Sequence, residues 1–296
     1  MSPVEWRLTV KVAGRVDSEE PRISAASRTS VARVARITRV VLYLVAACGA
    51  REIHGQAAFC SETRGVTAGV SGMSEEYGGS LLVDYFQAFL QDRDVETFKS
   101  RVATRYTEGT LGRILAGSPA VTARRAAVLS LGLLGSFRGS NTSLGRALAD
   151  SDPIARAMAE DALWAVWFRA DSPEHNEMLE RVRVLIGRQR LKDAEALATR
   201  LILIAPSFAE AYNQRAFAYF LEGRLAESAA DCQQVLARNP FHIGAIEGLA
   251  KCQLGLGRPL EALKSLRRAL KLRPHNESLR EMVKSLEAAT EADGSR

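Results

Sequence analysis

The chain has 296 residues, of which 47% are hydrophobic, 25% charged and 6% aromatic, with a formal net charge of +6. This composition excludes a wholly disordered or fibrous chain, and four cysteines are too few for a disulfide framework. The longest apolar run, 40–50, is shorter than the about 20 residues that cross a bilayer, so we expect no ordinary transmembrane helix. The low aromatic content favours packed helices over strands.

Residues 1–79 keep no sustained helical or strand period, which predicts a poorly ordered N-terminal arm and linker. Basic residues here precede the apolar segment 40–50 and the small residues around Cys48, an order typical of export signals and of the lipid-bearing cysteine of bacterial lipoproteins. The late start of the segment and the charges directly after it favour a short apolar stretch in a cytoplasmic protein. Export or lipid tethering through Cys48 is the alternative, and the only route by which we expect membrane contact.

Residues 80–170 follow a helical period. One helix is predicted to open with Asp152, Pro153 and Arg156, followed by paired alanines, and similar features surround Arg124. This pattern resembles HEAT-type repeats, which implies a stack of helix pairs. Asp152 is expected to cap its helix, with Pro153 in the first turn, where a missing N–H is tolerated.

Three aromatic residues, Trp164, Trp167 and Phe168, end the last helix of this region. They either anchor a partner or fill the irregular seam against the first of the repeat units that follow. We favour the seam, because a junction between two repeat types leaves gaps that large side chains fill.

The C-terminal region has a period of 34 residues. Prolines 206, 240 and 274 are separated by this step, as are the small residues Ala194, Ser228 and Ala262. Three units follow, 175–208, 209–242 and 243–276, each predicted to be two antiparallel helices stopped by its proline. Residues 277–290 are predicted to form an amphipathic capping helix with Leu279, Met282, Val283 and Leu286 on one face.

These units resemble the tetratricopeptide repeat family. The middle unit carries the family pattern best, at Tyr212, Ala216, Tyr219, Ser228 and Pro240, and we expect its two tyrosines to pack inside the unit. Over 175–290 the resemblance implies three stacked units and a cap. The predicted fold class is therefore all-α: a right-handed α-solenoid in which a HEAT-like array at 80–170 runs into a tetratricopeptide domain at 171–296.

The family resemblance also implies that the first helix of each unit lines a concave groove for a partner segment. The matching candidates in this chain are Arg183, Asn213, Phe217, Phe220, Glu247 and Lys251. We expect Phe217 and Phe220 to form an exposed aromatic floor. Family members that clamp the C-terminal carboxylate of heat-shock chaperones carry basic and amide residues at positions that here hold Leu179, Arg183, Gln214, Gly244 and Gly248. Most of these do not match, which disfavours such a clamp.

No phosphate-binding glycine loop and no nucleophile–base set is recognisable, so we expect no enzyme, no cofactor and no metal site. A basic face on one helix is formed by Lys264, Arg267, Arg268 and Lys271. It lacks interleaved groups for base readout, so we interpret it as a solvated face and expect no nucleic-acid partner. The first hypothesis is a non-enzymatic interaction module that binds a protein or peptide segment. The alternatives are an exported or membrane-tethered assembly factor, and a nucleic-acid-associated factor using the basic face. The sequence leaves the oligomeric state open.

Overall fold

The computed structural model describes residues 80–294; the apolar segment 40–50 and Cys48 lie outside the described residues. Residues 80–294 form thirteen α-helices, and none of these is both long and apolar enough to cross a membrane. The helices are α1 (Leu81–Asp92), α2 (Val95–Arg105), α3 (Glu108–Gly117), α4 (Val121–Leu134), α5 (Phe137–Ala147), α6 (Pro153–Trp167), α7 (Pro173–Gly187), α8 (Leu191–Ile204), α9 (Ala209–Leu221), α10 (Leu225–Arg238), α11 (Ile243–Gly255), α12 (Pro259–Leu272) and α13 (Glu277–Gly294). The predicted all-α solenoid of helix pairs is confirmed.

Helices α1–α6, here called the N-terminal block, share one hydrophobic core. Its largest buried side chains include Phe86, Phe98, Leu131, Leu144, Leu163 and Trp167. Helix α4 packs on α6, and α5 packs on both α6 and α3. Ile243 of α11 is buried in this same core, so the N-terminal block and the repeats share packed surface.

The start of α6 is fixed by its predicted cap. The Asp152 carboxylate accepts a hydrogen bond from the backbone N–H of Ala155 at 2.7 Å, and Pro153 occupies the first turn. Arg125 of α4 donates two hydrogen bonds of 2.8 Å to the same carboxylate, which ties the two helices together. The cap is confirmed, while the resemblance of this region to HEAT-type repeats stays a prediction.

The three 34-residue units are the helix pairs α7–α8, α9–α10 and α11–α12. The turn inside each pair passes through the left-handed region at equivalent positions, with φ of 59° at Gln189, 75° at Gly223 and 70° at Gly257. Glycine adopts this conformation without steric cost, whereas Gln189 is a tolerated exception. The second helix of each pair ends two residues before its proline, at Ile204, Arg238 and Leu272.

Helix α13 closes the stack. Leu279 and Val283 are buried against α12, and Leu286 is half-buried beside them. The amide oxygen of Asn276 caps the helix by accepting from the Leu279 N–H at 3.0 Å. The prediction that Met282 shares this face is wrong. Met282 is 49% exposed, because the contact is a narrow i, i+4, i+7 stripe that leaves it at the edge.

Candidate functional site

The six predicted partner-binding residues lie on α7, α9 and α11, and the side of the repeats that carries them is called here the concave face. Half of these residues are buried: Arg183 is 8% exposed, Asn213 3% and Phe217 5%. Phe220, Glu247 and Lys251 are half-buried. The concave face is therefore largely covered within the chain itself.

The end of α6 supplies this cover. The Trp167 ring stacks on the His242 ring with centroids 4.3 Å apart, and the Trp164 ring meets His242 edge-on at 5.2 Å. Gly244, at the start of α11, lies directly beneath Trp164, so that an added Cβ would be 2.9 Å from the indole ring. Phe168 lies under the Arg183 guanidinium at 4.4 Å.

These contacts confirm that the three aromatic residues fill a junction, although the expected neighbour differs. Helix α6 was expected to abut the first unit, which is adjacent in sequence. In the structure Trp164 and Trp167 pack at the boundary between the second and third units, and only Phe168 reaches α7. The reason is that α6 lies across the concave face, so its end spans several units.

The centre of the junction is a buried imidazole–carboxylate pair. His242 and Glu210 are 0% and 1% exposed, with Nε2 and Oε2 2.9 Å apart. The His242 Nδ1 accepts from the backbone N–H of Ala245 at 3.0 Å, so Nε2 carries the hydrogen and donates it to Glu210. The other Glu210 oxygen accepts from the side chains of Asn213 and Gln214, each at 2.8 Å. This network caps α11 and holds the predicted groove residue Asn213 in place.

A second network lies beside it. The Trp167 indole N–H donates to Asn141 Oδ1 at 2.7 Å, and Asn141 Nδ2 donates to Asn239 Oδ1 at 3.0 Å. Arg273, at the end of α12, pairs with Glu160 of α6 at 3.4 Å and also with Glu247. The predicted groove residue Glu247 is therefore engaged inside the chain.

Arg183 is the buried cation of the concave face. Its Nη1 donates to Glu180 at 2.7 Å. Burial lowers the pKa of Arg183, and the nearby Glu210 carboxylate opposes that shift. A guanidinium remains protonated under these conditions, so the face keeps one desolvated positive charge next to the aromatic ring of Phe168.

The prediction that Phe217 is an exposed floor residue is wrong. Its ring lies in a small core with Val182, Ile186, Ala194 and Ala198, between the first and second units. The small side chains of the first unit leave a gap that the Phe217 ring on α9 fills. Phe217 is therefore buried between the units and does not line the groove. Tyr212 and Tyr219, predicted as packing residues, are buried as expected.

The far end of the concave face is less covered. Positions 186, 220 and 254 are separated by 34 residues and hold Ile186, Phe220 and Leu254. Exposure rises along this apolar row: Ile186 is 1% exposed, Phe220 is half-buried and Leu254 is 41% exposed. This end, formed by Phe220, Leu221, Lys251 and Leu254, is called here the open end of the concave face.

The predicted basic face lies on α12. Lys264 and Lys271 are exposed, but the two arginines have structural roles. Arg267 bonds Glu287 of α13 at 2.6 Å, and Arg268 donates to the Pro240 carbonyl at 3.1 Å. Two of the four basic side chains therefore connect α12 to neighbouring segments of the chain.

Comparison with known proteins identifies the repeats. A family model described as tetratricopeptide repeat matches residues 209–242 and 245–276. A TPR repeat-containing protein of Rhizobium etli is 26% identical over 137 residues, which is 46% of this chain and 67% of the relative. Two solved structures are similar. The first TPR of Spaghetti (RPAP3) bound to an HSP90 peptide is 22% identical, with 40% of this chain and 95% of that chain covered and a TM-score of 0.38. The Sgt2 TPR domain of Aspergillus fumigatus is 16% identical, with 42% of this chain and 84% of that chain covered and a TM-score of 0.39. These scores are too low to infer a shared ligand.

Proposed function

Because a tetratricopeptide repeat model matches residues 209–242 and 245–276, we propose that this chain is a non-enzymatic protein–protein interaction module that holds a partner segment at the open end of the concave face. The observation that carries the proposal is the apolar row at positions 186, 220 and 254, which emerges at Leu254 with 41% of its surface exposed. Apolar side chains that line up across units and are exposed at the surface are typical of a site that binds a partner.

The chemistry of the open end defines what binds there. Phe220, Leu221 and Leu254 give it an apolar floor, and Lys251 lies one helical turn before Leu254. A partner segment with an apolar side chain next to a carboxylate matches this surface. Aromatic residues at the centre of such an interface contribute most of the binding energy, so Phe220 is the expected anchor.

Site-specific photo-crosslinking tests the proposal. A benzoylphenylalanine is placed at position 254 of the full chain and, as the matched control, at Val184, which is equally exposed at 43%. The positions equivalent to Val184 are Ala218 and Cys252, which are buried between units, so Val184 faces the end of the stack and not the concave face. We expect one defined adduct from position 254, absent from position 184, and lost when Phe220 is changed to Ala. Equal adducts from both positions, or none from 254, would exclude the open end as a binding surface.

A further inference from the structure

Five buried side-chain polar atoms have no hydrogen-bond partner within the described chain. They are Trp164 Nε1, Arg183 Nε, Asn213 Oδ1, Asn239 Nδ2 and Arg273 Nε. Four of these residues lie at the contact between the N-terminal block and the repeats: Trp164 on α6, Arg183 beside Phe168, Asn239 bonded to Asn141 of α5, and Arg273 paired with Glu160. The fifth, Asn213, belongs to the adjoining Glu210 network. An unsatisfied buried polar group costs about 1–3 kcal/mol, and native cores contain few of them. Their concentration at one contact marks it as less well satisfied than the rest of the described structure.

The connection between the two parts allows the contact to separate. Helix α6 packs on α4 and α5, whereas α7 packs on α8 and α9, and the short segment 168–172 joins them. Each part therefore keeps its own helix neighbours if the contact opens. The contact combines these polar groups with the buried side chains of Trp164, Trp167 and Ile243. Relative motion is the default expectation for two parts of one chain unless the interface between them is large and hydrophobic.

On this basis, and resting on the proposed function, we propose that α6 is an internal ligand of the concave face and that the partner is a helical segment that takes its place. The occupant defines the chemistry of the partner. Glu160, Trp164 and Phe168 follow one another at steps of four residues, so they share one face of α6. Glu160 meets Arg273, Trp164 meets Gly244 and Phe168 meets Arg183.

The partner therefore carries an acidic residue one turn before an aromatic residue, and a second aromatic residue one turn later. Its face enters the groove as α6 does, in the manner of an amphipathic helix laid on a helical surface. Because α6 is attached to the groove, its effective concentration is high, and a free segment binds weakly until the internal contact is loosened.

The probe is a fluorescent peptide of residues 153–170, titrated against the full chain by anisotropy. Two variants loosen the internal contact by different means. Gly145→Ala adds a methyl group that would overlap the ring of Phe241, and Glu160→Lys breaks the pair with Arg273 without altering the groove. Gly117→Ala, also a helical glycine but with nothing within 4 Å of the added methyl, is the matched control.

We expect the peptide to bind both loosened variants at least about tenfold more tightly than the parent or Gly117→Ala, and a peptide lacking its Trp164 and Phe168 rings to bind none of them. Exchange of the Ala245 amide hydrogen, which is bonded to His242, should rise in the same two variants while their helical content stays unchanged. If the amide exchange and the peptide affinity both match the parent, α6 is a permanent part of the fold. If exchange rises without peptide binding, the groove does not recognise this pattern, and the proposal is wrong in either case.

These outcomes are separate from the test of the proposed function. The adduct at position 254 arises at the open end, whereas the contacts described for the end of α6 are with Arg183, His242, Gly244 and Arg273. An adduct at that position with no peptide binding therefore removes the internal-ligand proposal alone. Peptide binding without the adduct removes the open end as the binding surface, while the interaction-module function on which the internal-ligand proposal rests still stands.

Discussion

The sharpest stability prediction concerns His242→Ala. The imidazole is fully buried and donates to the Glu210 carboxylate, which is itself 1% exposed. Removing the ring leaves a charged oxygen of Glu210 without its donor in a desolvated site. It also removes the acceptor of the Ala245 N–H at the start of α11 and the ring that Trp167 stacks on.

The magnitude follows from these three contacts. Loss of a buried hydrogen bond to a carboxylate costs about 1.5–3 kcal/mol, loss of a helix cap about 1 kcal/mol, and loss of an aromatic stack about 0.5–1.5 kcal/mol. The contributions overlap, because Glu210 keeps the hydrogen bonds from Asn213 and Gln214. We therefore expect a loss of about 4 kcal/mol, a large part of the about 5–15 kcal/mol that a domain of ordinary stability has.

Urea unfolding at neutral pH, followed by circular dichroism and by the fluorescence of the tryptophans beside His242, measures this loss. The double variant Glu210→Gln, His242→Ala removes the buried charge and should be more stable than His242→Ala alone. His275→Ala, an exposed histidine at the end of the third unit, is the control and should lie within about 0.5 kcal/mol of the parent. A loss below about 1 kcal/mol for His242→Ala, or a double variant weaker than the single, would refute the charge-burial argument.

Three further substitutions have defined outcomes. Burial and the neighbouring Glu160 carboxylate raise the pKa of Asp161 from 3.8 to about 6, so ionisation of Asp161 destabilises the fold as pH rises through this range. Asp161→Asn should therefore increase the free energy of unfolding by up to about 3 kcal/mol above about pH 6. Below about pH 4 it should have no effect. A gain that is independent of pH in urea titrations would contradict this. Phe217→Ala should cost about 3–5 kcal/mol as a core deletion, against about 1–2 kcal/mol for half-buried Phe220→Ala; equal midpoints for the two would place Phe217 outside the core. Ala262→Leu should lose about 1–3 kcal/mol by overpacking a fully buried site, and an unchanged melting temperature would mean that the site has spare volume.

The sequence was sufficient for features that depend on local periodicity. The 34-residue step predicted the helix pairs and their ends before Pro206, Pro240 and Pro274, since each unit contacts mainly its neighbours. The cap at Asp152 was predictable for the same reason, because its partner lies three residues away. Such contacts leave a direct pattern in the sequence.

The cover on the concave face left no such pattern. Its contacts join residues 98 positions apart, between Asn141 and Asn239, and 113 apart, between Glu160 and Arg273. Helix periodicity indicates which face of α6 is apolar, but it does not indicate which part of the chain that face packs against. The assignment of Phe217 failed in a similar way. The family resemblance placed this residue in a groove, whereas its ring packs against small residues of the first unit such as Ala194 and Ala198.

One feature of the sequence does agree with the observed cover. At the second position of each unit the chain carries Asn176, Glu210 and then Gly244. Gly244 is the second residue of α11, and a side chain at this position would occupy the space of the Trp164 indole. Gly145 of α5 makes a reciprocal contact, because a Cβ added there would overlap the ring of Phe241. Gly244 therefore indicates that the concave face is shaped around the Trp164 ring, and a partner that binds there must present that shape or bind at the open end instead.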